Sequence, residues 1–350
     1  MSRKTPPAST SNKHVYYFDL LRTVAVFFVI VIHCTAPHFT SLPVGSRSWL
    51  VASFFESISR WAVPIFVMIS GALHLSKRRD MKSFFKKNVL KILIILLSWN
   101  LIYAIVGLIN GSSFSSFIKA LIGGHYHLWF LYMLLALYAL TPFIKKFIKD
   151  PKRLKLFLFI SFIFGIALPQ LTDVLTLLPS PFSSVGNGLS RALNSFGFGQ
   201  IIGYGFYYVL GYYLHQKKNE TKTIRTLYVT GAIYLVFTFF ATWCFSAVKN
   251  VPTVIFLKDL TINNALMSAG LFVFAKHHVT KKSTSNLLIR ASKYSLGIYV
   301  MHALLLENVF VFLPSMPICL SVLVKSILCF FVCLMLTFCL RKIPLLKRIV

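Results

Sequence analysis

Acidic side chains are nearly missing from this chain of 350 residues. It holds 8 Asp and Glu against 37 Lys and Arg, a formal net charge of +29. Charged residues make up only 13%, about half the share in soluble domains. A cytosolic enzyme of this size is thereby excluded. Disorder is excluded too, because a disordered chain is poor in apolar and aromatic residues, whereas this one is 57% apolar and has 34 Phe. Cysteine is sparse and forms no CxxC pair and no Cys/His cluster with zinc spacing, so no metal site is expected. Cys34, Cys244, Cys319, Cys329, Cys333 and Cys339 lie in or beside apolar runs and read as small residues facing lipid or other helices. The motifs GxxxxGK[ST], GxGxxG, GxSxG and HExxH are all lacking. So few carboxylates also argue against a paired-carboxylate site.

What remains is long apolar runs. A bilayer-spanning helix needs about 20 mostly apolar residues. Ten runs qualify, at 16–39, 52–75, 89–110, 127–146, 155–175, 198–215, 226–247, 259–276, 294–313 and 317–340. Glycines interrupt the sixth, and Asp259 to Asn264 weaken the eighth. A β-barrel would show short alternating segments instead. Residues 1–14 are polar, and the following run is too long for a signal-peptide core and lacks an A-x-A site, so it is expected to remain as the first span. The expectation is an all-α polytopic membrane protein: a tail at 1–15, one ten-helix domain at 16–340, and a tail at 341–350.

Charge tests that count. With the N-terminus in the cytoplasm, 29 of the 37 basic residues fall in cytoplasmic segments and 5 in outer ones. The other three, Arg22, Arg60 and Lys325, lie within runs. This asymmetry follows the positive-inside rule and places both termini in the cytoplasm. It also accounts for the positive charge without a nucleic-acid partner; the partners it implies are membrane lipids. No internal repeat is evident, which weighs against many transporter folds.

Ionisable residues inside spans are costly, and each is a candidate for function. Arg22 and His33 are 11 residues apart on the first run, which puts them on one helical stripe about 16 Å apart along the axis. Asp19 is placed to form a local ion pair with Arg22. Glu56 and Arg60 on the second run are spaced i, i+4 for pairing. Pro64, four residues on, is expected to kink that helix. His125 and His127 open the fourth run at the depth of His33 and Arg60. The ninth carries Tyr299, His302 and Glu307, the last two on different faces. A lone histidine of this kind is more often a hydrogen-bonded structural residue; several at one depth are not. Lys86, Lys87 and Lys91 crowd the start of the third run, where they can hold phosphate as point charges.

The residues then take on a known pattern. Phe18-Asp19-Leu20-Leu21-Arg22 followed by His33 resembles the first motif of the membrane-bound acyltransferase family 3. Ser59-Arg60-Trp61-Ala62-Val63-Pro64 through Ser70-Gly71 resembles the second. His127-Leu128-Trp129-Phe130-Leu131 with Tyr138 and Thr141-Pro142 resembles the third, and Ser292-Lys293-Tyr294-Ser295-Leu296-Gly297 through His302 the fourth. The likeness runs in order over residues 16 to about 312.

It implies transfer of an acyl group, usually acetyl, from cytosolic acyl-CoA (acetyl-CoA) to a sugar hydroxyl of a lipid-linked or surface glycan at the bacterial inner membrane. His33 is the implied catalytic residue, as general base or as acyl carrier, with Arg60 or His127 stabilising the oxyanion. Arg22, the Lys87-x-x-x-Lys91 pair and His302 are the implied CoA-binding group, with lysines where the family often has arginines. A polar pore lined by Arg22, His33, Arg60 and His302 is expected to open to the cytosol among Lys86–Lys91, with a second opening beside His127. No appended esterase-like domain is expected. The alternative from another class is a transporter or flippase of a lipid-linked or anionic solute, which would consume no acyl-CoA.

Overall fold

The computed structural model describes residues 14–76, 81–197, 199–217, 220–282, 284–314 and 316–350. Arg3, Lys4, Lys13, Lys77, Arg78, Arg79 and Lys218, counted above among the cytoplasmic cations, lie outside the described residues. Every regular element among the described residues is helical: α1 Tyr16–Ser41, α2 Arg47–Ser59, α3 Ala62–Ser76, α4 Met81–Phe84, α5 Leu90–Ile109, α6 Phe114–Gly123, α7 Trp129–Phe147, α8 Pro151–Phe162, α9 Leu168–Leu177, α10 Phe182–Ser195, α11 Gly199–Gln216, α12 Thr221–Lys249, α13 Ile262–His278, α14 Asn286–Asn308 and α15 Ile318–Leu340. One wide π turn, Phe85–Val89, joins α4 to α5, and another, Ile163–Ala167, joins α8 to α9.

Among the described residues, seven segments are long and apolar enough to cross a bilayer: Tyr16–Ser41, Arg47–Ser76, Lys82–Ile109, Phe114–Phe147, Pro151–Leu177, Thr221–Lys249 and Ile318–Leu340. The chain is a multi-pass membrane protein. The sixth, eighth and ninth expected spans form α11, α13 and α14, which are shorter or more polar. They are also lined with buried side chains, and a helix walled by protein need not be apolar all round. The polar residues that weaken the eighth run have structural uses. Asn263 and Asn264 are fully buried. Asn263 donates to the Phe256 carbonyl at 2.8 Å, and Asn264 donates to the Arg60 carbonyl at 2.9 Å.

That second bond explains a departure from expectation. The second run is two helices broken at Arg60–Trp61, not one kinked at Pro64. Pro64 has no N–H for the carbonyl four residues back, which is that of Arg60. Asn264 supplies the missing donor and so pins the break to α13.

Small residues let the inner helices touch. A Cβ on Gly71 of α3 would lie 1.7 Å from the Tyr208 carbonyl oxygen of α11, and one on Gly211 would lie 2.1 Å from that of Met68. Only glycine permits this approach at both points. Residues 341–350, expected as a tail, turn back onto α5: Trp99 donates to the Ile349 carbonyl at 2.8 Å, and Val350 is buried.

Candidate functional site

Four chain segments far apart in sequence converge on His33. α1 carries it. Pro37, one turn on within α1, leaves the His33 carbonyl without its helical donor. The His33 ring is half-buried and makes no hydrogen bond among the described residues. Its centroid is 4.9 Å from that of His302 on α14, 6.4 Å from His127 and 5.4 Å from Tyr126. His127 and His302 are 5.0 Å apart. His127 comes from the 3-10 turn Tyr126–Leu128, just before α7.

Both partner histidines are buried, each with Nε2 unpartnered. An orphaned buried polar atom is uncommon enough to need an explanation. The other faces of these rings are held: His302 Nδ1 lies 2.5 Å from the Tyr299 carbonyl, and His127 Nδ1 lies 2.9 Å from His125 Nδ1. The Tyr299 hydroxyl donates to the His127 carbonyl. Tyr103 of α5 stacks on His125 at 4.3 Å and donates to the Val300 carbonyl at 2.9 Å.

Arg60 stands beside this cluster, within electrostatic reach of His33. It pairs with fully buried Glu56 across one helical turn, as its spacing implies. Thr35, two residues beyond His33, donates to the same carboxylate at 2.7 Å. Glu56 therefore ties the Arg60 guanidinium to the α1 turn that carries His33. Asp259 lies within electrostatic reach of Arg60 and accepts from the Tyr204 hydroxyl at 2.9 Å. Arg60 Nε stays unpartnered.

A second group forms at the other end of α1. Arg22 lies within electrostatic reach of Asp19 and Tyr138. The expected Asp19–Arg22 ion pair is not the main contact of Asp19, which takes a hydrogen bond from Ser292 of α14 at 2.5 Å and pairs with His14. Asp19 thus fastens α1 to α14, and Arg22 makes no ion pair among the described residues. Tyr138 packs against His74 and Phe84 at 4.7 and 6.0 Å. Phe84 leads directly into the π turn that carries Lys86 and Lys87. Lys87 and Lys91 are exposed. The structure thus forms two groups where the sequence expected one pore lining: His33, Arg60, His127 and His302 together, and Arg22 within reach of Tyr138, with Lys87 and Lys91 exposed just beyond Phe84 in the chain.

Glu307, to which the sequence assigned no partner, reaches His125 Nε2 at 3.2 Å. Tyr103 and Asp259 were not expected to act together with the histidines. A rare acid in an apolar run was a signal for Glu307; tyrosine in a span carries none, because aromatics are ordinary there.

A helical membrane protein with a buried histidine cluster beside a guanidinium is equipped for acid–base and oxyanion chemistry. Residues 15–342 match the family model of the acyltransferase domain, acyltransferase 3. The chain belongs to that family, and the protein is a membrane acyltransferase. No curated protein and no solved structure matches it.

Proposed function

We propose that the protein is an inner-membrane O-acetyltransferase of bacteria, moving acetyl from cytosolic acetyl-CoA to a sugar hydroxyl of a lipid-linked or surface glycan on the periplasmic side. Ten passes with both ends in the cytoplasm are part of this reading, as is a likeness to the enterobacterial common antigen O-acetyltransferase in the four motifs. The observation that carries it is the meeting of His33, His127 and His302 from three separate motifs, with ring centroids no more than 6.4 Å apart, beside Arg60.

In this reading CoA phosphates are held by Lys87, Lys91 and Arg22 at the cytoplasmic end. The pantetheine arm runs along α1 toward the cluster, where His302 contacts the thioester arm. The acceptor oxygen attacks the thioester carbon, a C–O bond forms, and the C–S bond breaks. The hydroxyl proton passes through imidazole to the thiolate, leaving free CoA thiol. Arg60 faces the developing oxyanion. Its anchorage on Glu56 fits that role, because a preorganised cation pays no reorganisation cost during reaction.

The test is transfer of labelled acetyl from acetyl-CoA by purified protein in vesicles, with mass spectrometry of surface glycans from cells with and without the protein to give acyl mass and sugar position. His33→Ala is expected to abolish transfer. Transfer persisting in that variant, or acetyl-CoA left unconsumed with every glycan offered, overturns the reading.

A further inference from the structure

Glu307, near the end of α14, lies 3.2 Å from His125 Nε2, and the Tyr126 hydroxyl lies within reach of the same carboxylate. A carboxylate only accepts, so His125 donates from Nε2. The neutral ring then carries its lone pair on Nδ1, 2.9 Å from His127 Nδ1, and accepts a hydrogen bond from His127 Nδ1–H. The His127 lone pair is thereby left on Nε2, the buried nitrogen without a partner. Each contact sets the next tautomer. The Val300 carbonyl, another acceptor near the His127 ring, accepts from Tyr103 and leaves His127 Nε2 without a hydrogen-bond partner.

The same two residues border a cavity of about 360 Å³ lined by Tyr103, Asn110, Ser116, His125, Glu307 and Asn308, among others. Asn110 and Asn308 are bonded to each other across it at 2.8 Å. Its polar lining consists of amides, hydroxyls, the His125 imidazole and one carboxylate, with no Lys or Arg, beside apolar Val106 and Phe117. Such a surface offers hydrogen bonds to hydroxyls and repels phosphate or carboxylate.

We propose that Glu307, acting through His125, holds His127 with its Nε2 bare to take the proton of the acceptor hydroxyl, and that the cavity beside Glu307 and His125 receives the neutral hydroxyl-bearing ring that carries it. The proposal rests on the acyl-transfer reading. The hydroxyl oxygen attacks the thioester carbon as its proton moves to His127 Nε2. Collapse of the intermediate breaks the C–S bond, and the same proton then neutralises the departing thiolate. Glu307 and His125 are positioning residues: they orient His127 and stabilise its imidazolium without touching the reacting atoms, the role of the carboxylate in a Ser-His-Asp triad.

Two measurements on the full chain in lipid nanodiscs test it. Solid-state NMR of ¹⁵N-imidazole-labelled protein, with His127→Asn identifying the His127 signals, is expected to find the His127 proton on Nδ1. Glu307→Gln is expected to populate the other tautomer. In acetyl transfer to neutral methyl hexosides, that variant is expected to lower kcat by about 10²–10⁴ with KM for acetyl-CoA unchanged, and Glu307→Asp to recover part of it. A wild-type His127 protonated on Nε2, an imidazolium at His125, or wild-type kcat in Glu307→Gln overturns the positioning role. Transfer to hexose 1-phosphates but not to methyl hexosides overturns the cavity assignment. Failure of the wild type to consume acetyl-CoA tells against the acyl-transfer reading alone, because the NMR tautomer still decides the positioning role.

Discussion

Asn264 completes the helix that Pro64 interrupts: its side-chain amide donates to the Arg60 carbonyl at 2.9 Å, standing in for the N–H that proline lacks. The candidate oxyanion residue is therefore held by α13 rather than by its own helix. Asn264→Ala is expected to cost about 1–3 kcal/mol, the penalty for orphaning a buried acceptor, and to lower transfer by displacing Arg60. Adding Pro64→Ala, which restores a helical donor, should recover much of the stability but not the break that aims Arg60. Thermal unfolding and transfer rates of the two single variants and the double variant measure the coupling. Additive effects would contradict it.

Arg60 and Glu56 should fail differently. Glu56 is fully buried, so Arg60→Ala leaves a carboxylate unpaired and is expected to destabilise by about 3–5 kcal/mol. Arg60→Lys keeps the charge and the pair but loses the planar fork. It should retain most of the melting temperature and lose most of the transfer rate. Equal losses of stability in the two variants would remove Arg60 from the chemistry.

The α3–α11 contact predicts a sharp positional contrast among glycines. Gly71→Ala places a methyl 1.7 Å from a backbone oxygen, which no side-chain rotation relieves, so this variant should not accumulate as a monodisperse protein in detergent. Gly188→Ala on α10 meets nothing within 4 Å. It is expected to fold normally and to gain about 0.5–1 kcal/mol from helix propensity. Size-exclusion profiles of the two variants decide the point.

Lys87 and Lys91 are exposed, and attraction from such charges is screened by salt. KM for acetyl-CoA is expected to rise between 50 and 500 mM NaCl in the wild type and to start high and change little in Lys87→Ala/Lys91→Ala. Arg22→Ala, which removes a half-buried cation within reach of Tyr138, should raise KM at every salt concentration. A salt-independent wild-type KM would take these lysines out of donor binding.

Membrane residence, the all-helical class and the family were legible in the sequence because they rest on local quantities. Apolar run length, cation placement and the Arg22–His33 and Glu56–Arg60 spacings need no tertiary contact to be read. The periodicity also put Glu56 and Arg60 in register, and the structure pairs them. It placed Asp19 next to Arg22 as well, yet Asp19 bonds Ser292, 273 positions away; helical spacing ranks only neighbours on one helix.

Tertiary structure alone decided what surrounds each histidine. That His33 faces His302, that Glu307 reaches His125, and that Asn264 serves Arg60 depend on which helices pack together. The polar character of α13 and α14 weakens them as apolar segments for the same reason. Their Asn and His side chains are matched by carbonyls and rings on other helices, and a one-dimensional apolarity count cannot register a partner supplied from elsewhere in the fold.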